Sequence, residues 1–135
     1  MASRLFVLGA AFLLISTSLY AGPVKDGSLS AHSDGVRVYV RWISEDESGV
    51  ARFEVERKAG LNGQFILLGQ VATRGNNMPY EYIDDSAFRV TESIYQYRVK
   101  VVMTNGDVMY VGPITVRHDV NNVRRTWGSI KAMFR

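Results

Sequence analysis

Val36-Arg37-Val38-Tyr39-Val40-Arg41-Trp42-Ile43 is the stretch that decides the fold. A period of two places Val36, Val38, Val40 and Trp42 on one face of an extended strand and Arg37, Tyr39, Arg41 and Ile43 on the other. The same period recurs on both sides of it. Ala51, Phe53 and Val55 alternate with Arg52, Glu54 and Glu56, and Tyr95, Tyr97, Val99 and Val101 alternate with Gln96, Arg98, Lys100 and Val102. Phe65 to Val71 and Tyr80 to Ile83 are shorter runs of strand length. Val108 opens a last strand that reaches Val116, bent at Gly112-Pro113 because proline cannot donate to a ladder. Ser28 to His32 reads as a short first strand. Turn residues separate the runs: Glu45 to Gly49, then Gly60, Asn62 and Gly63, then Gly75, Asn76 and Asn77, then Asp84-Asp85. Asn105-Gly106 favours positive φ and marks a hairpin. About seven short strands with no helical period between Gly35 and Arg117 predict an all-β, antiparallel two-sheet sandwich.

The ends of the chain read differently. Arg4 precedes an uninterrupted apolar run from Leu5 to Ile15, followed by Ser16, Thr17 and Ser18, with Ala21 as a small residue before Gly22 and Pro23. This is the pattern of an export leader over 1–21, cut after Ala21. The run is short of the roughly 20 apolar residues that a spanning helix needs. There is no cysteine, so neither lipid attachment at the cut, a disulfide framework nor a thiolate metal site is available. The remainder is one domain held by its core alone. Of the formal charge of +3, Arg4 carries one, and residues 118–135 carry three through Arg124, Arg125, Lys131 and Arg135 against Asp119. The body, 22–117, is near neutral at −1. That argues against a nucleic-acid surface.

The strand pattern resembles a fibronectin type III domain over Ser28 to His118. The residues that carry the resemblance are Trp42 in Val38-Tyr39-Val40-Arg41-Trp42, and Tyr95 in Tyr95-Gln96-Tyr97-Arg98-Val99. The intervening Phe53-Glu54-Val55-Glu56-Arg57, Phe65, Gly69, Val71, Tyr80, Tyr82 and Asp84 look like modules of secreted bacterial surface proteins. The resemblance implies a seven-stranded immunoglobulin-like sandwich over 22–118 with a core of Trp42, Phe53, Val55, Tyr95, Tyr97 and Val99. It also implies that a tyrosine hydroxyl pins the crossover Asp85 to Ser93 to a nearby backbone group. Arg74-Gly75-Asn76 is not an integrin-type tripeptide.

Catalysis needs a nucleophile with a base, paired carboxylates or a metal. His32 and His118 stand near opposite ends of the domain, and neither is expected to act as a ligand or base; both read as surface or core-edge residues. Glu45, Asp46 and Glu47 lack the alternating spacing of a calcium loop and read as a solvated loop. Asp84-Asp85 reads as a strand end that starts a turn. Tyr80, Tyr82, Tyr95 and Tyr97 read as core, while Tyr39 and Tyr110 point outward. No phosphate loop, nucleophile elbow or metalloprotease motif occurs. The expectation is a non-enzyme without cofactor or metal.

Val120, Val123, Trp127, Ile130 and Phe134 recur at helical spacing, with Asp119 as N-cap and Lys131 and Arg135 near the end. Residues 119–135 are thus expected to form a basic amphipathic helix. Its stripe can be buried on the protein's own sheets, in a partner's groove, or on an anionic membrane. Val123, Arg124, Arg125, Trp127, Ile130, Lys131 and Phe134 are the expected partner-binding residues. The sequence points to an exported binding module, periplasmic, secreted or at the cell surface. It would dock through this helix on an envelope protein or on itself, and not on nucleic acid. A structural subunit and a carbohydrate-binding module using Tyr39 and Tyr110 remain open.

Overall fold

The computed structural model describes residues 21–87 and 94–118. Seven antiparallel strands run through them: β1 (Ser30–Ser33), β2 (Val38–Ile43), β3 (Val50–Ala59), β4 (Ile66–Ala72), β5 (Pro79–Asp84), β6 (Ile94–Met103) and β7 (Val108–Arg117). They form a three-stranded sheet in the order β1-β2-β5 and a four-stranded sheet in the order β4-β3-β6-β7. Among the described residues there is no α-helix, and none long and apolar enough to cross a membrane. Residues 1–20 of the expected leader and the expected helix over 119–135 lie outside the described residues.

The two sheets share one core. From the smaller sheet come Val38, Val40, Trp42 and Tyr80; from the larger come Phe53, Val55, Tyr95, Tyr97, Val99, Val101 and Val116. Every one occupies the inward phase of its strand's alternation. Trp42 stacks on Tyr80, its ladder neighbour, with ring centroids 5.2 Å apart, and meets Phe53 of the opposite sheet edge-on at 5.8 Å. Burial of such side chains stabilises by about 1.5–3 kcal/mol each, and the ring pairs add about 0.5–1.5 kcal/mol. Gly69 on β4 lets the Tyr82 ring lie against the backbone: a Cβ there would stand 2.8 Å from that ring.

The loops show how local chemistry sets the strand ends. β2 begins at Val38 and not at Val36 because Asp34 Oδ1 accepts from the amides of Val36 and Arg37, forming a tight turn. Those amides hold the Asp34 carboxyl below its ordinary value. β3 runs three residues further than the alternation suggests, to Ala59, while β6 exceeds it by one residue at each end. At the β6–β7 hairpin only Gly106 takes a positive φ, 93°; Asn105 does not. Asn105 instead accepts from the Asp107 amide at 2.9 Å, within a four-residue loop over Thr104 to Asp107. The bend at Gly112-Pro113 is a bulge. These two residues stand against Arg98 alone, between the pairs Val99↔Val111 and Tyr97↔Ile114, with Gly112 at a φ of 96°.

Candidate interaction surface

Three polar ties join parts of the domain that are distant in sequence. The first is a clamp. Arg57 of β3 reaches Asp84 at the end of β5, with Nη1 2.7 Å from Oδ2 and both side chains almost fully buried. The Tyr97 hydroxyl donates to the same oxygen at 2.6 Å, and the Ser86 amide and hydroxyl donate to Oδ1. Burial pushes the Asp84 carboxyl up, but these donors together hold it below its ordinary value. Burial, and then the Asp84 carboxylate, push the Tyr97 hydroxyl far up. The expectation that Asp84 starts a turn is met through Ser86, yet its main work is inside. Beside the clamp, the Tyr95 hydroxyl donates to the Ala87 carbonyl at 2.9 Å and ties β6 to the strand crossover.

The second tie corrects the solvated reading of Glu47. Its side chain is buried, accepts from the Tyr80 hydroxyl, and accepts from the Gly75 amide at 2.9 Å. The Glu47 amide donates to Asn76 Oδ1, and the Ser44 hydroxyl donates to the Gly75 carbonyl. The loop after β2 is thereby fastened to the loop before β5. Tyr80 is pushed up to about 12, first by burial and then by the Glu47 carboxylate. The third tie corrects the expectation that the two histidines stand at opposite ends of the domain, since His118 meets Ser33, the neighbour of His32. His118 is 1% exposed, not at the surface, and its Nδ1 lies 2.6 Å from the Ser33 hydroxyl at the end of β1. The last residue of the β7 extension therefore meets the first strand, because β1 and β7 lie side by side where the sheets' edges approach. His32 alternates away and is exposed. No group of three or more acidic, histidine or cysteine side chains that could hold a metal occurs among the described residues. A recess of about 520 Å³ beside Ala59 to Gly63 and Ile94 has no ionisable lining residue.

The outer face of the four-stranded sheet is built differently. β3 presents Arg52, Glu54, Glu56 and Lys58 there, β6 presents Gln96, Arg98 and Lys100, and β7 presents Val108, Tyr110 and Thr115, as their ladder pairings require. Arg98 stands at the centre. Its guanidinium lies 3.8 Å from the centroid of the Phe65 ring and 4.0 Å from that of Tyr110, and its Nη2 is 2.7 Å from Glu56 Oε1. Lys58 approaches the Phe65 ring as well. The result is a ring–cation–ring stack, locked from the side by a carboxylate, with Tyr110 half exposed at one end. The hairpin register places Tyr110 outward beside Lys100; a two-residue turn at Asn105-Gly106 would have set Tyr110 opposite the inward-facing Val101, so the four-residue loop decides its face. The position of Phe65 over Arg98 depends on the β3–β4 turn and has no signature of its own.

Tyr39 and Tyr110 occupy opposite outer faces, since Tyr39 is on β2 of the smaller sheet, where its hydroxyl meets Asp34. They cannot share one sugar. Tyr80, Tyr95 and Tyr97 are buried and Tyr82 packs against the core. Trp42, Phe53, Val55, Tyr95, Tyr97 and Val99 are each no more than 1% exposed. Val123, Arg124, Arg125, Trp127, Ile130, Lys131 and Phe134 lie outside the described residues.

No family model and no curated protein matches the chain. Among solved structures it is similar to a pectate lyase from Pectobacterium carotovorum, at 22% identity and a TM-score of 0.50, over 65% of this chain and 25% of the lyase. The chain spans about a quarter of that protein's length, and the likeness is one of fold.

Proposed function

We propose that this chain is an exported, non-enzymatic protein-interaction module of the fibronectin type III kind, which recognises its partner with the outer face of the four-stranded sheet. The module type is supported by Trp42 on the second strand, by the Tyr95–Ala87 bond at the start of the sixth, and by the strand order. The fourth strand lies beside the third and not beside the fifth, unlike the constant immunoglobulin arrangement.

The observation that carries the recognition surface is the stack of Phe65, Arg98 and Tyr110. Arginine and tyrosine dominate the energetics of protein contacts. Here the arginine is already immobilised between two rings and by Glu56, so little side-chain entropy remains to be lost on binding. Its neighbours Lys58 and Lys100 favour a partner with acidic groups at the rim. Residues 119–135 supply a second contact element in this proposal, with Trp127, Ile130 and Phe134 as anchors, on the strength of their sequence spacing alone.

A photo-crosslinking residue placed at Tyr110 tests the reading, with the same residue at Tyr39 on the opposite face as control. The protein is incubated with envelope fractions of its source cell. A discrete adduct from position 110 that excess unlabelled protein competes away, and none from 39, is expected. Equal labelling from both faces would refute the assignment of the surface. Retention on a polysaccharide that Tyr110→Ala abolishes would replace the protein partner by a carbohydrate.

A further inference from the structure

Each sheet has two edge strands, and an edge strand offers unpaired amides and carbonyls to any other strand. Three of the four edges here are protected. β1 has only four residues and lies against β7. β5 carries Pro79, Glu81 and Asp84. β7 is broken by the Gly112-Pro113 bulge. The remaining edge, β4, reads Ile66-Leu67-Leu68-Gly69-Gln70-Val71-Ala72, with no charge and no proline. Ile66 and Leu67 are each 52% exposed. A register shift at Leu68 interrupts its pairing with β3, but Gly69 to Ala72 then pair without a break with Val55, Glu54, Phe53 and Arg52.

We propose that β4 is a self-association edge, at which two copies of the chain pair antiparallel across a two-fold axis. Their four-stranded sheets then join into one sheet of eight. A second copy is the occupant because β4 is neutral along its whole length, so its own copy meets no like charge in antiparallel register. The two-fold places the apolar half, Ile66 to Leu68, of each strand opposite the Gly69 to Ala72 half of the other. A contact of β4 with β4 about a two-fold axis is isologous, so it closes at two. The edge contact is small and belongs with weak interfaces, with a Kd on the order of 10–100 μM. The β4 edge adjoins the recognition surface, since Phe65 of the stack directly precedes β4 and Leu67 pairs with Glu56, but strand pairing at this edge uses backbone groups and does not require the stack.

The absence of cysteine in the chain makes the test direct. Spin labels are attached to the exported chain through Gln70→Cys or Thr115→Cys, and sedimentation is followed from roughly 1 to 500 μM, a range that brackets such a Kd. A monomer–dimer equilibrium is expected. Labels at 70 would lie within about 10 Å of their copies, while labels at 115, across seven strand spacings of about 4.8 Å, would lie about 35 Å apart. Leu67→Lys, at an exposed position, should abolish the dimer and keep the far-ultraviolet circular dichroism of the parent. A monomer throughout the range overturns the proposal. So does a dimer that persists in Leu67→Lys, and so does one that disappears only when residues 119–135 are removed.

Discussion

Arg57 and Arg98 occupy adjacent strands of one sheet, one register position apart, and make ion pairs of the same length, 2.7 Å. Arg57 points inward and is 6% exposed at the side chain; Arg98 points outward and is 25% exposed. The difference in burial changes what each pair does. Inside, two charges without water persist only because Tyr97 and Ser86 satisfy what remains of Asp84, and removal of either charge strands the other. Outside, the Arg98–Glu56 pair is a quarter exposed on the arginine and largely buried on the glutamate, contributes less to stability than the inner pair, and shapes a surface. One arginine holds the sheets together, while the other lies on the face proposed for a partner.

The largest effect that would sharpen this contrast is Arg57→Ala. It should lower stability by about 3–5 kcal/mol, seen as an earlier midpoint in urea unfolding, because Asp84 is left charged and buried. A loss of only about 1–2 kcal/mol would put the two arginines in the same class. Tyr97→Phe comes next, at about 1–3 kcal/mol, through a donor lost to the same carboxylate.

Acid should reveal the clamp as well. The Asp84 carboxyl is held below its ordinary value of 3.8 in the folded protein, so its contribution is complete above pH 3.8 and is lost as pH falls through the lower folded value. Asp84→Asn should flatten that acid limb of the stability profile. On the alkaline side, Tyr80 is raised from 10.0 to about 12, so the stability tied to its neutral form fades between those values. Tyr80→Phe should reduce that slope, measured by unfolding at fixed urea across the pH range. The smallest effect belongs to Arg98→Ala, which should cost about 1–2 kcal/mol, because Glu56 is largely buried and loses its cation.

Alternation alone located most of the strands, because a half-buried strand must repeat every two residues. It identified Trp42, Phe53, Val55, Tyr95, Tyr97 and Val99 as inward positions for the same reason. Glu47 and His118 escaped it. Their burial comes from partners far away in sequence, Tyr80 and Gly75 for one and Ser33 for the other, and a local pattern carries no trace of such pairings. The candidate surface was half legible. Tyr110 faces outward by register, but the stack needs Phe65, delivered by a turn that also ends in the unprotected β4 edge. Both features belong to packing between strands, beyond the reach of a one-dimensional period.

The most direct test of the division between an inner clamp and an outer recognition face is one pair of readings on Arg98→Ala combined with Tyr110→Ala: thermal unfolding, and yield of the competed cross-link with the reporter at Lys100. A Tm lower by no more than about 8–16 °C is expected, equivalent to about 2 kcal/mol in a domain of this size, with the cross-link lost. A cross-link of undiminished yield in a domain that has lost several times that stability would contradict it, and would make the stack a structural brace instead of a binding surface.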